Sequence, residues 1–248
     1  MRGDKNVIYR NSVGQEVVFN NFSLFVESID MTGTSGIFTS EQLAFADGQQ
    51  TISVKLAPKT IPCSFAFWSS RSDDYTQKTL ERIFSPSFSG ILKMITKNAN
   101  YKIACRPQNV PSFKRDGKFI WRFDVDFVAD FPYWQKGAEI SVTLKSPTTY
   151  LLSDNPIHLP MKIRFPSGAA TPFNVNGTGF TLKSHDFPII VNTQNFRITD
   201  ERGRNCNQYI DSSAEVGEIF FKYGENKIFC PVFDGVQIFY YQLSHGEM

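Results

Sequence analysis

With 248 residues the chain has the length of one large β domain or two ordinary ones, enough in either case to bury a core. Aromatic residues make up 15%, 24 of them Phe, against 20% charged, which excludes an intrinsically disordered chain. The formal net charge is only +2 and the basic residues are scattered among nearly as many acids, which argues against a protein built to neutralise phosphates.

The N-terminus offers only Val7 and Ile8 before Tyr9 and Arg10, too short and polar for the apolar part of a signal peptide, so no export is expected. The stretch from Asp30 to Gln50 carries turn signals at Gly33, Gly36, Asp47 and Gly48 around Ile37, Phe38, Leu43 and Phe45. It reads as a loop too long for a hairpin turn, packed on its own domain or on a neighbour. Ile52, Val54 and Leu56 then alternate with polar residues, and Cys63, Phe65 and Phe67 repeat the pattern after Pro62, which predicts half-buried strands.

After Ser72, Asp73 and Asp74, residues that cap free N–H groups, the period changes. Thr76, Leu80, Ile83 and Phe84 fall at helical spacing and Pro86 stops the run, so one amphipathic helix is predicted, laid over an open face or edge of a sheet. Alternation returns at Tyr101, Ile103 and Cys105, and at Phe119, Trp121, Phe123, Val125 and Phe127. The segment Phe131, Pro132, Tyr133, Trp134, Gln135, Lys136, Gly137 punctuates the chain, with a fresh strand starting at Glu139, and the domain junction is expected there.

Beyond it, Ile140, Val142 and Leu144 alternate, as do Met161, Ile163 and Phe165, Phe196 and Ile198, Ile219 and Phe221, and Val236, Ile238 and Tyr240. Asn176 to Gly179 reads as a turn between strands. The fold class that follows is all-β, sandwich or barrel. Every apolar run is interrupted well short of 18 residues, so no membrane helix is expected and the chain reads as soluble. Cys63, Cys105, Cys206 and Cys230 are far apart with no close pair, which suits neither zinc nor, without export, disulfides; they read as buried free thiols inside strands.

Residues suited to chemistry are sparse. His158, His185 and His245 lie in unrelated places and read as loop or surface residues, and no nucleophile elbow, metalloprotease helix, phosphate loop or calcium loop is present. Asp124 and Asp126, with Asp130 beyond, are the one tempting carboxylate set, since paired carboxylates serve acid–base catalysis or hold a metal. Because Phe123, Val125 and Phe127 alternate with them, the pair reads as the solvent face of a strand. No catalytic residue, metal or cofactor is expected.

Taken together, Asp30 to Gln50, the helix from Asp74 to Phe84, Arg106 with Pro107, Trp121 to Phe127 closing on Phe131 to Trp134, and the late Lys222 to Ile228 followed by Val236 to Tyr241 resemble the distal tail proteins of siphophages, which form a tail-tip or baseplate hub. Between Ser146 and Asp200 the match reduces to alternating strands. The resemblance implies a ring-forming N-terminal β-sandwich with one helix over residues 1–135 and a galectin-like C-terminal sandwich over 136–248, the last strand able to return to the first domain. It further implies a structural, non-enzymatic hub, a homo-hexamer joining the tail tube protein to tail-tip or baseplate proteins, with tape-measure and receptor-binding proteins as further partners. Its place would be the virion, assembled in the host cytoplasm, without specific nucleic-acid binding or a membrane.

Two sets of residues gain meaning in such a ring. The apolar Ile37, Phe38, Leu43 and Phe45 would be poorly placed on a monomer, so the Asp30 to Gln50 stretch is expected to reach across a subunit boundary, with packing on its own domain the competing reading. Asp124 and Asp126 would face a shared lumen, where a row of acids repels passing DNA. The main rival function is a carbohydrate-binding module, whose mark is an exposed aromatic platform. All three Trp lie at or before the expected junction, which leaves Tyr150, Tyr209, Tyr223 or Tyr241 to stack on a sugar.

Overall fold

Alternating sequence becomes antiparallel pairing throughout. The computed structural model describes residues 6–19, 24–31, 36–42, 49–69, 74–155, 157–211 and 216–244, and for 36–42 and 49–56 it describes the backbone. Contacts divide the chain into Met1–Lys136 with Ser244–Met248, and Gly137–Leu243.

The first unit contains β1 (Asn6–Asn11), β2 (Glu16–Phe19), β3 (Leu24–Ile29), β4 (Gly36–Gln42), β5 (Gln49–Leu56), β6 (Lys59–Trp68), α1 (Asp74–Ile83), β7 (Gly90–Ile95), β8 (Asn100–Pro107), β9 (Lys114–Asp116), β10 (Ile120–Ala129) and the start of β11 (Trp134–Thr143). One sheet runs β2-β1-β7-β8 and continues onto the first residues of β11; the other places β10 between β6 and β9, with β3 outside β6. Strand β8 serves both. Its residues Asn100 to Cys105 pair with β7, and its end turns onto β10 through Pro107↔Phe127 and Arg106↔Val128. A strand that changes sheets in this way makes the corner of a sandwich.

The inner faces meet in a phenylalanine-rich core. Phe19 stacks on Phe65 at 4.1 Å between ring centroids, Tyr9 on Phe84 at 5.4 Å, and Phe84 meets Phe123 at 6.0 Å. Helix α1 closes this core: Leu80, Ile83 and the following Phe84 are all buried within it. Burial of each such side chain is worth roughly 1.5–3 kcal/mol. Asp74 in the first turn and Arg82 in the last match the helix dipole. Cys63 and Cys105 are buried in the same core. Burial pushes both thiols up, Cys105 to about 12, so neither is a nucleophile at neutral pH.

The second unit contains the rest of β11, then β12 (Thr148–Ser153), β13 (Met161–Phe165), β14 (Thr171–Val175), β15 (Thr178–Leu182), β16 (Ile189–Asn192), β17 (Arg197–Asp200), β18 (Gly224–Phe229) and β19 (Gln237–Ser244), whose last residue falls in the first unit. Its sheets run β11-β19-β13-β16-β17 and β12-β18-β14-β15. Phe165 of the one meets Phe173 and Phe180 of the other at 5.5 and 5.9 Å, so this unit too is a sandwich. The fold is all-β with one α-helix among the described residues.

Several sequence-based expectations need correction. Asp30 to Gln50 is not a plain loop, because Gly36–Gln42 is strand β4. The strand expected to begin at Glu139 starts at Trp134, because Gly137, at φ 73°, bends the strand instead of ending it. Phe196 is not strand but a turn residue at φ 57° and 64% exposed. Ile219 and Phe221 are buried, yet only Phe221 makes a bridge, to Leu159. Cys206 and Cys230 are buried outside strands. His158 is exposed and stacks on Phe220, whereas His185 is buried, its Nδ1 donating to the Lys183 carbonyl at 2.9 Å; His245 lies outside the described residues. Asn176 and Gly177, at φ 54° and 91°, form the two-residue turn joining β14 to β15.

Candidate assembly interface

Among the described residues strands β4 and β5 pair only with each other, as a two-stranded sheet. Ile37 lies opposite Lys55 and Phe38 opposite Val54, with a register shift between Thr39 and Ser40. Leu43 and Phe45, in the connection, lie outside the described residues. A lone two-stranded ribbon is marginal in water, so this element needs cover from elsewhere.

Its base is fixed by contacts that the sequence pattern does not show. Strand β3 ends at Ile29, opposite Cys63; Asp30 then donates its backbone N–H to the Pro62 carbonyl at 3.1 Å, and Met31 is buried. Lys59, 1% exposed at the head of β6, donates from Nζ to the Met31 carbonyl. Burial pushes the Lys59 ammonium below its usual range while the nearby Asp30 opposes that shift. The two ends of the ribbon segment are thus joined by a charge-assisted hydrogen bond under the sheet. The only sequence signal was a lysine at the head of a strand whose other inward positions are apolar.

Asp124 and Asp126 sit on the outer face of β10, alternating with the buried Phe123, Val125 and Phe127. Opposite them on β6 stand Ser64 and Pro62. Ser64 donates its hydroxyl to Asp124 Oδ1 at 2.7 Å, and Asn109 bridges the pair, donating to the Asp124 carbonyl at 3.3 Å and accepting from the Asp126 N–H at 2.9 Å. No cation of the described residues lies within ion-pair distance of either carboxylate. Asp130 is placed apart, facing Arg106 at 3.6 Å. Further along β10, Arg122 is shared by Glu27, at 2.8 Å, and Asp116. The face therefore leans negative around Asp124 and Asp126. They have neither a histidine partner nor a third ligand, and no set of three or more potential metal ligands occurs among the described residues.

The aromatic residues weighed for sugar stacking differ in exposure. In the second unit Tyr150 and Tyr223 are 56% and 72% exposed, whereas Tyr209 and Tyr241 are half-buried. Trp134 is buried and Trp121 half-buried, but Trp68 is 55% exposed. No helix of the described residues is long and apolar enough to cross a membrane.

No family model matches this sequence, and no curated protein matches it. Solved structures do. The SPP1 Dit protein, presented as a paradigm of the hub adsorption apparatus in phages infecting Gram-positive bacteria, superposes with a TM-score of 0.70 at 11% identity, over 96% of this chain and 99% of that one. A chain of the phage P2 baseplate in its activated conformation with calcium gives 0.59 at 10% identity, over 98% of this chain and 99% of that one. The corresponding baseplate with strontium gives 0.58 at 10%, over 99% and 100%. This chain shares the fold of these phage hub and baseplate chains over nearly its whole length.

Proposed function

We propose that the chain is the structural hub of a bacteriophage tail, a non-enzymatic protein of the virion that closes into a homo-hexameric ring and connects the tail tube to the tip or baseplate. The carrying observation is the fold shared with the SPP1 hub protein over nearly the whole of both chains. In this reading residues 1–135 build the ring and 136–248 form a galectin-like sandwich. The β4–β5 ribbon, clamped at its base by Lys59 and Met31, supports the assembly reading, because it is an element without a sheet of its own to join. Ile37, Phe38, Leu43 and Phe45 are then interface residues, and Asp124 and Asp126 line the lumen. Tail tube, tape-measure, baseplate and receptor-binding proteins are the partners.

The test is the mass of the purified chain by light scattering, with negative-stain images of the same fraction. A six-fold ring supports the hub, and a monomer at all concentrations overturns it. A carbohydrate-binding module is the second reading, favoured by the exposure of Tyr150 and Tyr223. A glycan array decides that point: saturable binding lost in Tyr150→Ala or Tyr223→Ala would establish a sugar site.

A further inference from the structure

One end of the β6–β10–β9 sheet combines an exposed tryptophan with two lysines that lie beyond ion-pair distance of any acid among the described residues. Trp68 lies opposite Ile120, and Ile120 opposite Asp116, so the three occupy one row across the strands. Phe119, in the turn before β10, brings its ring within 6.3 Å of Trp68, and Lys118 sets its ammonium 5.3 Å from the centre of the Phe119 ring. Lys114 stands opposite Arg122 in the next row on the same face. Arg122 is taken up by Glu27 and Asp116, but Lys114 and Lys118 have no acid within ion-pair distance among the described residues.

The backbone under this patch is held firmly. Ser69 N–H donates to the Phe119 carbonyl at 2.8 Å, extending the β6–β10 ladder to its tip. Arg115, on the opposite face over Trp121, donates from its guanidinium to the Lys118 carbonyl at 3.0 Å and locks the turn. The exposed Trp68 is thus presented on a rigid platform, the arrangement that costs least entropy on binding. Tryptophan is also among the residues enriched at interface hot spots.

The geometry points to this end of the sheet as a docking surface for another protein, one that presents acidic side chains around an apolar centre. Charge selects the partner. Two copies meeting through the same patch would set Lys114 and Lys118 against themselves, which like-charge repulsion disfavours. Single-stranded nucleic acid needs open aromatic faces and a track of cations; here Lys118 caps Phe119, and among the described residues of this face only Lys114 and Lys118 lack an acid partner. The inference is independent of the hub reading, since it rests on Trp68 and its neighbours in the first unit alone.

The test uses the full-length protein and a fluorescent eight-residue peptide alternating Glu and Leu as the probe, read by anisotropy. A Lys–Leu peptide of the same length and a short oligo-dT serve as comparators. Saturable binding of the acidic peptide is expected, weakened about tenfold or more by Trp68→Ala, as for an interface anchor. Lys114→Glu with Lys118→Glu should weaken it similarly, and added salt should weaken it in the parent. Each variant should melt like the parent, because all three side chains are surface groups. Absence of saturable binding, binding that both variants leave unchanged, or tighter binding of either comparator overturns the proposal. Light scattering of Trp68→Ala supplies a further check: an unchanged mass is expected, and a smaller species would show that a second copy covers the patch.

Discussion

Asn226, wholly buried in β18, accepts a hydrogen bond on Oδ1 from Asn176 Nδ2 at 2.9 Å, tying the β14–β15 turn to the neighbouring strand. The same oxygen accepts from the Lys222 N–H at 2.8 Å, and Nδ2 donates to the Lys222 and Gly224 carbonyls at 2.8 and 3.0 Å. Asn176 completes the knot by accepting from the Lys227 N–H at 3.0 Å. Asn226→Ala strands several of these buried groups at once, and each unpaired group costs about 1–3 kcal/mol. A loss of at least about 3 kcal/mol in urea unfolding is expected; a variant as stable as the parent would show that water replaces the amide.

Leu80 tests how the helix closes the first core. It is 2% exposed and belongs to the buried cluster that includes Tyr9, Phe65 and Phe84. Leu80→Asp places an unpaired carboxylate there and should cost at least about 3 kcal/mol, read as a lowered melting temperature or failure to fold. A parental melt would mean that the helix face turns outward.

Asp200 carries a pH dependence. Burial works to raise its pKa, but the Arg204 backbone N–H at 2.8 Å, its Nε at 2.6 Å and the Arg202 N–H at 2.9 Å outweigh that and hold the carboxyl below its ordinary range. A folded-state pKa lower than the unfolded one means stability that is complete above the unfolded value and lost as pH falls through the folded one. The difference in unfolding free energy between the parent and Asp200→Asn should therefore be constant near neutrality and shrink below about pH 4. A difference that grew on acidification would contradict the sign.

Asp124 and Asp126 should be replaceable. Both lie on the outer face, and Asn at Asp124 keeps an acceptor for the Ser64 hydroxyl. Asp124→Asn with Asp126→Asn should leave stability within about 0.5 kcal/mol of the parent, as for surface changes away from special features. If the pair faces a lumen, the variant should also retain duplex DNA more strongly at low salt than the parent does, measured by anisotropy. Equal retention would remove the lumen role.

How far these features were legible depended on whether a residue's role was local. Cys63, Phe65 and Phe67 announced β6 because each second residue is buried and the period is visible without knowing the partner. Leu80, Ile83 and Phe84 announced the helix for the same reason. Phe196 misled because its alternation with Ile198 is genuine, but its ring lies over Gly217, where a Cβ would sit 2.1 Å from it. That fit belongs to tertiary structure. Strand β4 was hidden because Gly and Ser break its period while its pairing depends on β5 beyond a six-residue connection. Of the candidate interface, the apolar positions were visible, but the Lys59 to Met31 clamp was not, since it joins residues 28 apart through a backbone carbonyl.

The ribbon itself gives the last test. Strands β4 and β5 form a two-stranded sheet that pairs with nothing else among the described residues. Such a pair gains too little from its own ladder to persist in water, so a partner surface must stabilise it. Two surfaces are available, the chain's own first unit and the next subunit of a ring. In a closed ring every subunit offers one face to its neighbour, so a ribbon reaching across buries its apolar residues and leaves no open end. Phe38→Ser with Phe45→Ser should then yield smaller species by light scattering while circular dichroism and melting of the two units stay parental. Loss of folding with no stable small species would place the ribbon on its own unit, and an unchanged mass would reject the subunit contact.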